Sequence, residues 1–283
     1  MTARVLDGRA VAKEVYAEVA KAVEARVASG KPRPRLATIL VGDDPASATY
    51  VELKQRNARR VGIESDDHRL PASTSTEELL ALLDRLNRDE SVSGILVQQP
   101  APKQIEMRRV ILALDPAKDV DGFHPVNAGL VALGLSGGME PATPSGIVLL
   151  LERSGVPIEG VNAVVVGRSN LVGKPAALLL LKRNATVTLC HTRTRDLASH
   201  TRAADILVAA AGRANLITRD MIKRGAAVVD VSTNWVGGRQ VGDLGPGVDE
   251  IAGWLTPNPG GVGPMTRAML TKNTYEAEVR RRG

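Results

Sequence analysis

The chain has 283 residues, 43% hydrophobic and 24% charged, with aromatics at only 2%. That length suits two domains with aliphatic cores, and the balance is that of a soluble globular protein. A single cysteine, Cys190, excludes an internal disulfide and a cysteine-based metal cluster, and no metal site is expected.

The N-terminal MTARVLDGRAVAKEV carries early charges and no apolar core, so it does not read as a signal peptide. The longest apolar run, Ala176 to Leu181, is too short to span a bilayer. A reducing cytoplasm and no membrane association are expected. The net charge is +6, but the basic residues are interspersed with acids except at Arg280 to Arg282, where a solvated helix tip is the plain reading. Small polyanionic ligands suit this balance better than nucleic acid, and no nucleic-acid partner is expected.

In chain order, Val11, Val15, Val19, Val23 and Val27 form an apolar stripe on a helix that Gly30 closes. LATILVG (36–42) reads as a buried strand. Pro45 opens a helix carrying Tyr50 and Lys54, and Gly62 ends it. Thr76, Glu77 and Glu78 start another, with leucines at 79, 82, 83 and 86 on one face. SGILVQQP (93–100) reads as the second buried strand of a parallel sheet. PAKDVDGFHPVNAG (116–129), rich in Pro, Gly and Asp, reads as a loop. Thr143 as N-cap and Pro144 at the first turn begin a bridging helix. Strands NAVVVG, TVTLCH, DILVAA and AAVVDV then alternate with helices, a Rossmann-type parallel run. A last helix from about Pro264 to Arg282 is expected to pack back on the first domain. The domains are therefore expected at 1–141 with 264–283, and at 142–263. The fold class is α/β, with two domains around a cleft, the second binding a dinucleotide.

Three stretches bear chemistry. AVVVGRSNLVGKP (163–175) is a strand, glycine turn and helix, where a parallel sheet presents a helix N-terminus to phosphate. It is not a P-loop, since five residues separate Gly167 from Gly173 and Pro175 stands in place of the magnesium-binding hydroxyl. It is not GxGxxG either, because Ser169 holds the second glycine position. The next strand ends in CHTRTR with no carboxylate for ribose hydroxyls until Asp196. Arg168, Thr192 and Arg193 can instead meet a 2′-phosphate, which favours NADP; a solvated basic loop is the plain alternative. Tyr50 and Lys54 are an i, i+4 pair whose side chains can meet. Short-chain dehydrogenases use such a pair, but after their cofactor turn, whereas here it precedes Gly167. Gln98, past the carboxyl end of a buried strand, and Asp121, in the turn-rich loop, add an amide and a carboxylate.

Together VGDDPAS, YVELK with RVGI, GILVQQPAP, KDVDGFHPVNAG, TPSGI, VVVGRSNLVGKP, NATVTLCH, GAAVVDV, VGD and TPNPGGVGPMT, in this order, resemble the bifunctional methylenetetrahydrofolate dehydrogenase/cyclohydrolase family along nearly the whole chain. The resemblance implies oxidation of 5,10-methylenetetrahydrofolate by NADP, then hydrolysis of the methenyl product to 10-formyltetrahydrofolate. It makes Lys54 the catalytic residue, held by Gln98. Tyr50 stacks on the folate, and Asp121 binds the pterin. Pro259, Gly260 and Gly261 border the folate, and Gly167, Arg168, Ser169, Thr192 and Thr233 meet the cofactor. It also implies a homodimer formed through the dinucleotide domain, and polyglutamylated folates suit the basic charge. Four positions depart from the family pattern: Gln99, Arg56, Ala142 and Ser232. Ser232, where glycine is usual, is expected to shift cofactor geometry or preference. The competing readings are a dehydrogenase of another small acid and a degenerate paralogue that binds folate or dinucleotide without full activity.

Overall fold

A computed structural model describes residues 3–283. Chain contacts divide it into two compact units: the described residues up to Ala12 with Thr143–Thr266, and Lys13–Ala142 with Arg267–Gly283.

The second of these is built on a three-stranded parallel sheet. Helix α1 (Gly8–Ala28) enters it. Its stripe buries Val11, Val15, Val19 and Val23, but Arg26 rather than Val27 completes it. A strict spacing of four overshoots the helical repeat by about 40° per step, so the stripe rotates off the buried face by its fifth member. Strand β2 (Arg35–Val41) and helix α2 (Pro45–Arg60) follow, after a first short strand, β1 (Arg4–Val5), that belongs to the other unit. Asp44 caps α2 by accepting from the Ser47 amide at 2.8 Å, and Pro45 fills its first turn.

Strand β3 (Glu64–Leu70), sequence ESDDHRL, is absent from the sequence reading. It pairs with β2 over its full length, making SGILVQQP the third strand of this sheet rather than the second. β3 is an edge strand without apolar alternation, and the charges that hide it from pattern reading also protect the edge. Across it Arg35 pairs with Glu64 at 2.6 Å. Helix α3 (Thr76–Arg88) starts with a capping box in which Ser75, not Thr76, is the cap and Glu78 its reciprocal partner. Its leucines 79, 82, 83 and 86 are buried against β4 (Gly94–Val97), β2 and α4 (Met107–Ala113). The expected loop at 116–129 is loop only in part, because α5 (Pro125–Ala132) begins inside it, with Pro125 in its first turn.

The other unit holds a six-stranded parallel sheet in the order β1, β11, β8, β7, β5, β6. Its elements are α6 (Ala142–Arg153), β5 (Asn162–Val166), α7 (Gly173–Lys182), β6 (Thr186–Cys190), α8 (Leu197–Arg202), β7 (Ile206–Ala209), β8 (Ala227–Asp230), the hairpin β9 (Asn234–Val236) and β10 (Arg239–Val241), and β11 (Trp254–Leu255). Helix α6 begins at Ala142, so Thr143 lies within it instead of capping it; its hydroxyl meets that of Thr266 at 2.9 Å. The helix expected between β7 and β8 is only a 3-10 turn, Arg219–Met221. The sheet gains two strands beyond the expected set, since β1 pairs with β11 and β11 with β8. Residues from the N-terminus thus join the sheet that the middle of the chain builds. Two-residue strands carry too little periodicity to be seen in sequence. The chain runs from β5 outward to β6, then returns past β5 to β7, so the strand order reverses there, the place where such sheets bind ligands.

The last helix, α9 (Val262–Arg282), lies from Arg267 onward with the three-stranded unit.

Candidate active site

Helix α2 sets the first site. Ser47, Val51, Gln55 and Ala58 face inward, and the Gln55 amide donates to the Thr38 hydroxyl on β2 at 2.6 Å. Holding that stripe on the sheet leaves the adjacent stripe, Tyr50, Lys54 and Asn57, on the flank of the helix. Tyr50 is 43% exposed, a ring with an open surface, and Lys54 is part-buried.

Gln98 stands just past β4. Its backbone amide donates to the Ile39 carbonyl at 2.9 Å, continuing the sheet. Its side-chain nitrogen donates to the Gln99 carbonyl, which turns Oε1 toward Lys54; the Lys54 Nζ donates to it at 3.0 Å. The amide therefore orients the amine without adding charge.

Asp121 is delivered by a loop pinned on both sides. Lys118, fully buried, donates to the carbonyls of Leu86, Asn87 and Asp89 at 2.8, 2.7 and 2.7 Å. Asp119, also buried, accepts from the His124 amide at 2.7 Å and from the Asn127 side chain at 3.0 Å. Asn273 of α9 donates to the Val120 carbonyl at 2.8 Å. Gly122 turns at φ +71°, where an added Cβ would meet the Met139 carbonyl oxygen at 2.7 Å. A small cleft beside Asp121 is lined by Gln99, Phe123, Ile95 and Met107.

The charges in this site are tuned against one another. Burial lowers the Lys54 pKa; Asp121 opposes that shift, and the Arg267 guanidinium adds to it. Burial raises the Asp121 carboxyl to about 6, with Lys54 opposing and Asp119 adding. The sequence reading missed Asp119, Lys118, Asn127, Asn273 and Arg267. The DxD alternation of KDVDG was a visible signal for Asp119. Nothing local announces Arg267, which lies more than two hundred residues from Lys54.

The second site lies at the carboxyl ends of β5, β6 and β8, where Gly167, Arg168, Ser169, Thr192 and Thr233 follow their strands. Gly167 sits at φ +126°, and a Cβ there would lie 2.1 Å from the Ala210 carbonyl oxygen; a Cβ on Gly173 would lie 1.9 Å from the Gly167 carbonyl oxygen. Glycine is required for the turn and for close approach of α7, which leaves bare backbone at the strand reversal. The Ser169 hydroxyl accepts from the Val172 and Gly173 amides at 3.1 and 3.3 Å, so it shapes the turn. Arg168 and Thr192 are exposed. This edge, open in backbone, basic, and lacking a carboxylate directly after β6, fits a dinucleotide with a 2′-phosphate.

Family models match along the chain: the tetrahydrofolate dehydrogenase/cyclohydrolase catalytic domain over residues 6–121, and the NAD(P)-binding domain of the same name over 141–282. This chain belongs to the tetrahydrofolate dehydrogenase/cyclohydrolase family. It is 54% identical to the bifunctional protein FolD of Moorella thermoacetica, over 99% of this chain and 100% of that one. Among solved structures it is similar to the bifunctional FolD enzyme of Campylobacter jejuni, with TM-score 0.95, 44% identity, and coverage of 98% and 99% of the two chains. It is similar also to the Trypanosoma brucei dehydrogenase-cyclohydrolase complexed with NADP cofactor and inhibitor, with TM-score 0.94, 40% identity and complete coverage of both chains.

Of the four positions where the resemblance implied a departure, Gln99 lines the Asp121 cleft, Arg56 is exposed and Ala142 is buried. Ser232 does not strain the chain, since its backbone lies outside the left-handed region. Among the described residues no group of His, Cys, Asp and Glu is placed to hold a metal, and no helix is long and apolar enough to cross a membrane.

Proposed function

We propose that this protein oxidises 5,10-methylenetetrahydrofolate to the 5,10-methenyl form with NADP and hydrolyses that product to 10-formyltetrahydrofolate. The observation that carries the reading is the Lys54 amine held by Gln98 at 3.0 Å beside Asp121, in a chain of this family.

The three-stranded unit takes the folate and the six-stranded unit the dinucleotide. NADP, when bound, supplies the hydride acceptor. Gly167, Arg168, Ser169, Thr192 and Thr233 hold it. Asp121, mostly ionised at neutral pH with a pKa of about 6, accepts N–H donors from the pterin. Tyr50 offers its open ring to the folate. Lys54 moves the proton in hydrolysis. An ordinary lysine is cationic near neutrality; burial lowers the pKa of this one, a shift toward the neutral amine, the form that can accept a proton from the attacking water. Gln98 keeps the nitrogen aimed. The net charge of +6 suits polyglutamylated folates, the active form is a homodimer, and the setting is the cytoplasm.

The degenerate-paralogue reading has no support in the site, since Tyr50, Lys54, Gln98 and Asp121 are all present. The test follows reduced cofactor and methenyl absorbance separately, with methylenetetrahydrofolate and NADP or NAD. Parent protein should give both steps. Lys54→Met should lose the hydrolytic step by ~10²–10⁴-fold while still binding NADP. Hydrolysis by the variant at near the parent rate would remove Lys54 from the mechanism.

A further inference from the structure

Ser232 stands two residues past β8, directly before Thr233, and every polar group it has is engaged. Its hydroxyl donates to the Asp243 carboxylate at 2.7 Å and accepts from the Gly212 amide at 3.0 Å. Its own amide donates to Asp230 at 3.3 Å, and its carbonyl accepts from the Asn258 side chain at 2.9 Å. Asn258 is held in turn by Gln240, at 2.9 Å.

Asp243 is the anchor of this network. It is fully buried. Besides the Ser232 hydroxyl it accepts from the amides of Ala211, Gly212 and Arg213 at 2.7, 3.1 and 2.7 Å, and from the Asn234 side chain at 3.1 Å. The Asp243 amide donates back to Asp230 at 3.0 Å. Four chain segments therefore meet at one serine: the loop after β7, the loop after β8, the segment after β10, and the loop that runs into Pro259. A glycine at position 232 would keep the backbone bonds and lose both bonds of the hydroxyl.

We propose that Ser232 is a positioning residue for the dehydrogenase step: its hydroxyl ties the Thr233 segment to Asp243 and to the Gly212 loop that Asp243 already holds, and so pre-forms the cofactor-facing edge of the six-stranded sheet. This rests on the reading of that edge as the dinucleotide site. A network anchored on a buried carboxylate holds its members in one arrangement, and a pre-formed edge binds without paying to order its loops. The departure from glycine thus fixes geometry instead of distorting it.

The experiment compares parent, Ser232→Ala and Ser232→Thr by calorimetry with NADP, by amide exchange at residues 211–213, and by thermal melting. In Ser232→Ala the Kd for NADP should rise about three- to tenfold as the edge loses order, and exchange at Gly212 should quicken by a similar factor. Ser232→Thr, which keeps a hydroxyl, should restore both. Parent-like NADP affinity in Ser232→Ala overturns the proposal, and if melting alone falls the serine is structural only. Failure of threonine to restore affinity also overturns it. A parent protein that takes up no NADP overturns the dinucleotide reading itself, while exchange at Gly212 still reports whether the lock exists.

Discussion

Asp121, in its proposed role as pterin acceptor, sets stability against function. Its pKa is raised to about 6 because burial penalises the carboxylate more than Lys54 rewards it. Below an unfolded value of about 4 both states are protonated and nothing is at stake. Between there and 6 the folded chain holds the proton that the unfolded chain has released, so stability falls as pH rises, and the penalty is complete above 6. Asp121→Asn should therefore melt several degrees higher than the parent at neutral pH and equally at pH near 4, a difference on the order of 2 kcal/mol. The same variant should bind folate more weakly. In the parent, folate affinity should fall as pH drops through about 6, when the acceptor is neutralised. A melting difference that does not change with pH would show that Asp121 titrates normally. At the edge proposed for the dinucleotide, the side chain proposed to meet the 2′-phosphate is Arg168, exposed on the glycine turn. Arg168→Ala should lower kcat/KM with NADP by roughly tenfold or more, the worth of a charge-assisted hydrogen bond, and change it little with NAD. An unmoved ratio of the two would make Arg168 a turn residue alone.

At the scale of elements, α9 is fixed by charges that sequence inspection assigns to solvent. Glu278 is fully buried and pairs with Arg26 of α1 at 2.9 Å, while the Ser93 hydroxyl donates to it at 2.8 Å. The terminal arginines are not a free tip: Arg280 donates to the Gly138 carbonyl at 2.8 Å, Arg281 to that of Val92 at 2.7 Å, and Arg282 lies 3.5 Å from Glu278. Glu278→Ala leaves Arg26 buried without its partner and should cost about 3–5 kcal/mol, read as a fall in melting temperature. Replacing both, Arg26→Met with Glu278→Leu, should recover most of that loss, because the desolvation of two charges disappears with them. Recovery would show that the pair specifies where α9 docks more than it stabilises the chain. The elements legible in sequence are those with long apolar periods, such as α3 and β5. Strand β3 and helix α5 were not, the first for want of apolar alternation and the second because HPVNAG has the composition of a turn.

For the whole molecule, the +6 net charge is a statement about ligands and ionic strength. If polyglutamate tails are drawn by this field, kcat/KM for a pentaglutamyl substrate should fall as salt rises from about 0.02 to about 0.5 M, where screening shortens to a few ångströms. The monoglutamate should respond much less. Equal salt responses would mean that the tail meets no net basic surface.

The sequence by itself determined the α/β class, the parallel runs of each unit, and the residue types of the candidate site. Those follow from local rules: apolar period, glycine and proline at turns, and motifs whose members lie close in the chain. Only the tertiary structure decided which distant groups meet. It put Gln98 Oε1 on Lys54, Arg267 near the same amine, β1 on the six-stranded sheet, and Asp243 under Ser232. Ser232 shows the difference most plainly. In sequence it is a lost glycine, judged by backbone freedom alone. In the fold its φ needs no such freedom, and its hydroxyl has two partners from loops that the sheet brings together. Hydrogen bonds and buried charges depend on position in space, and the sheet order that fixes those positions is a property of the packed chain.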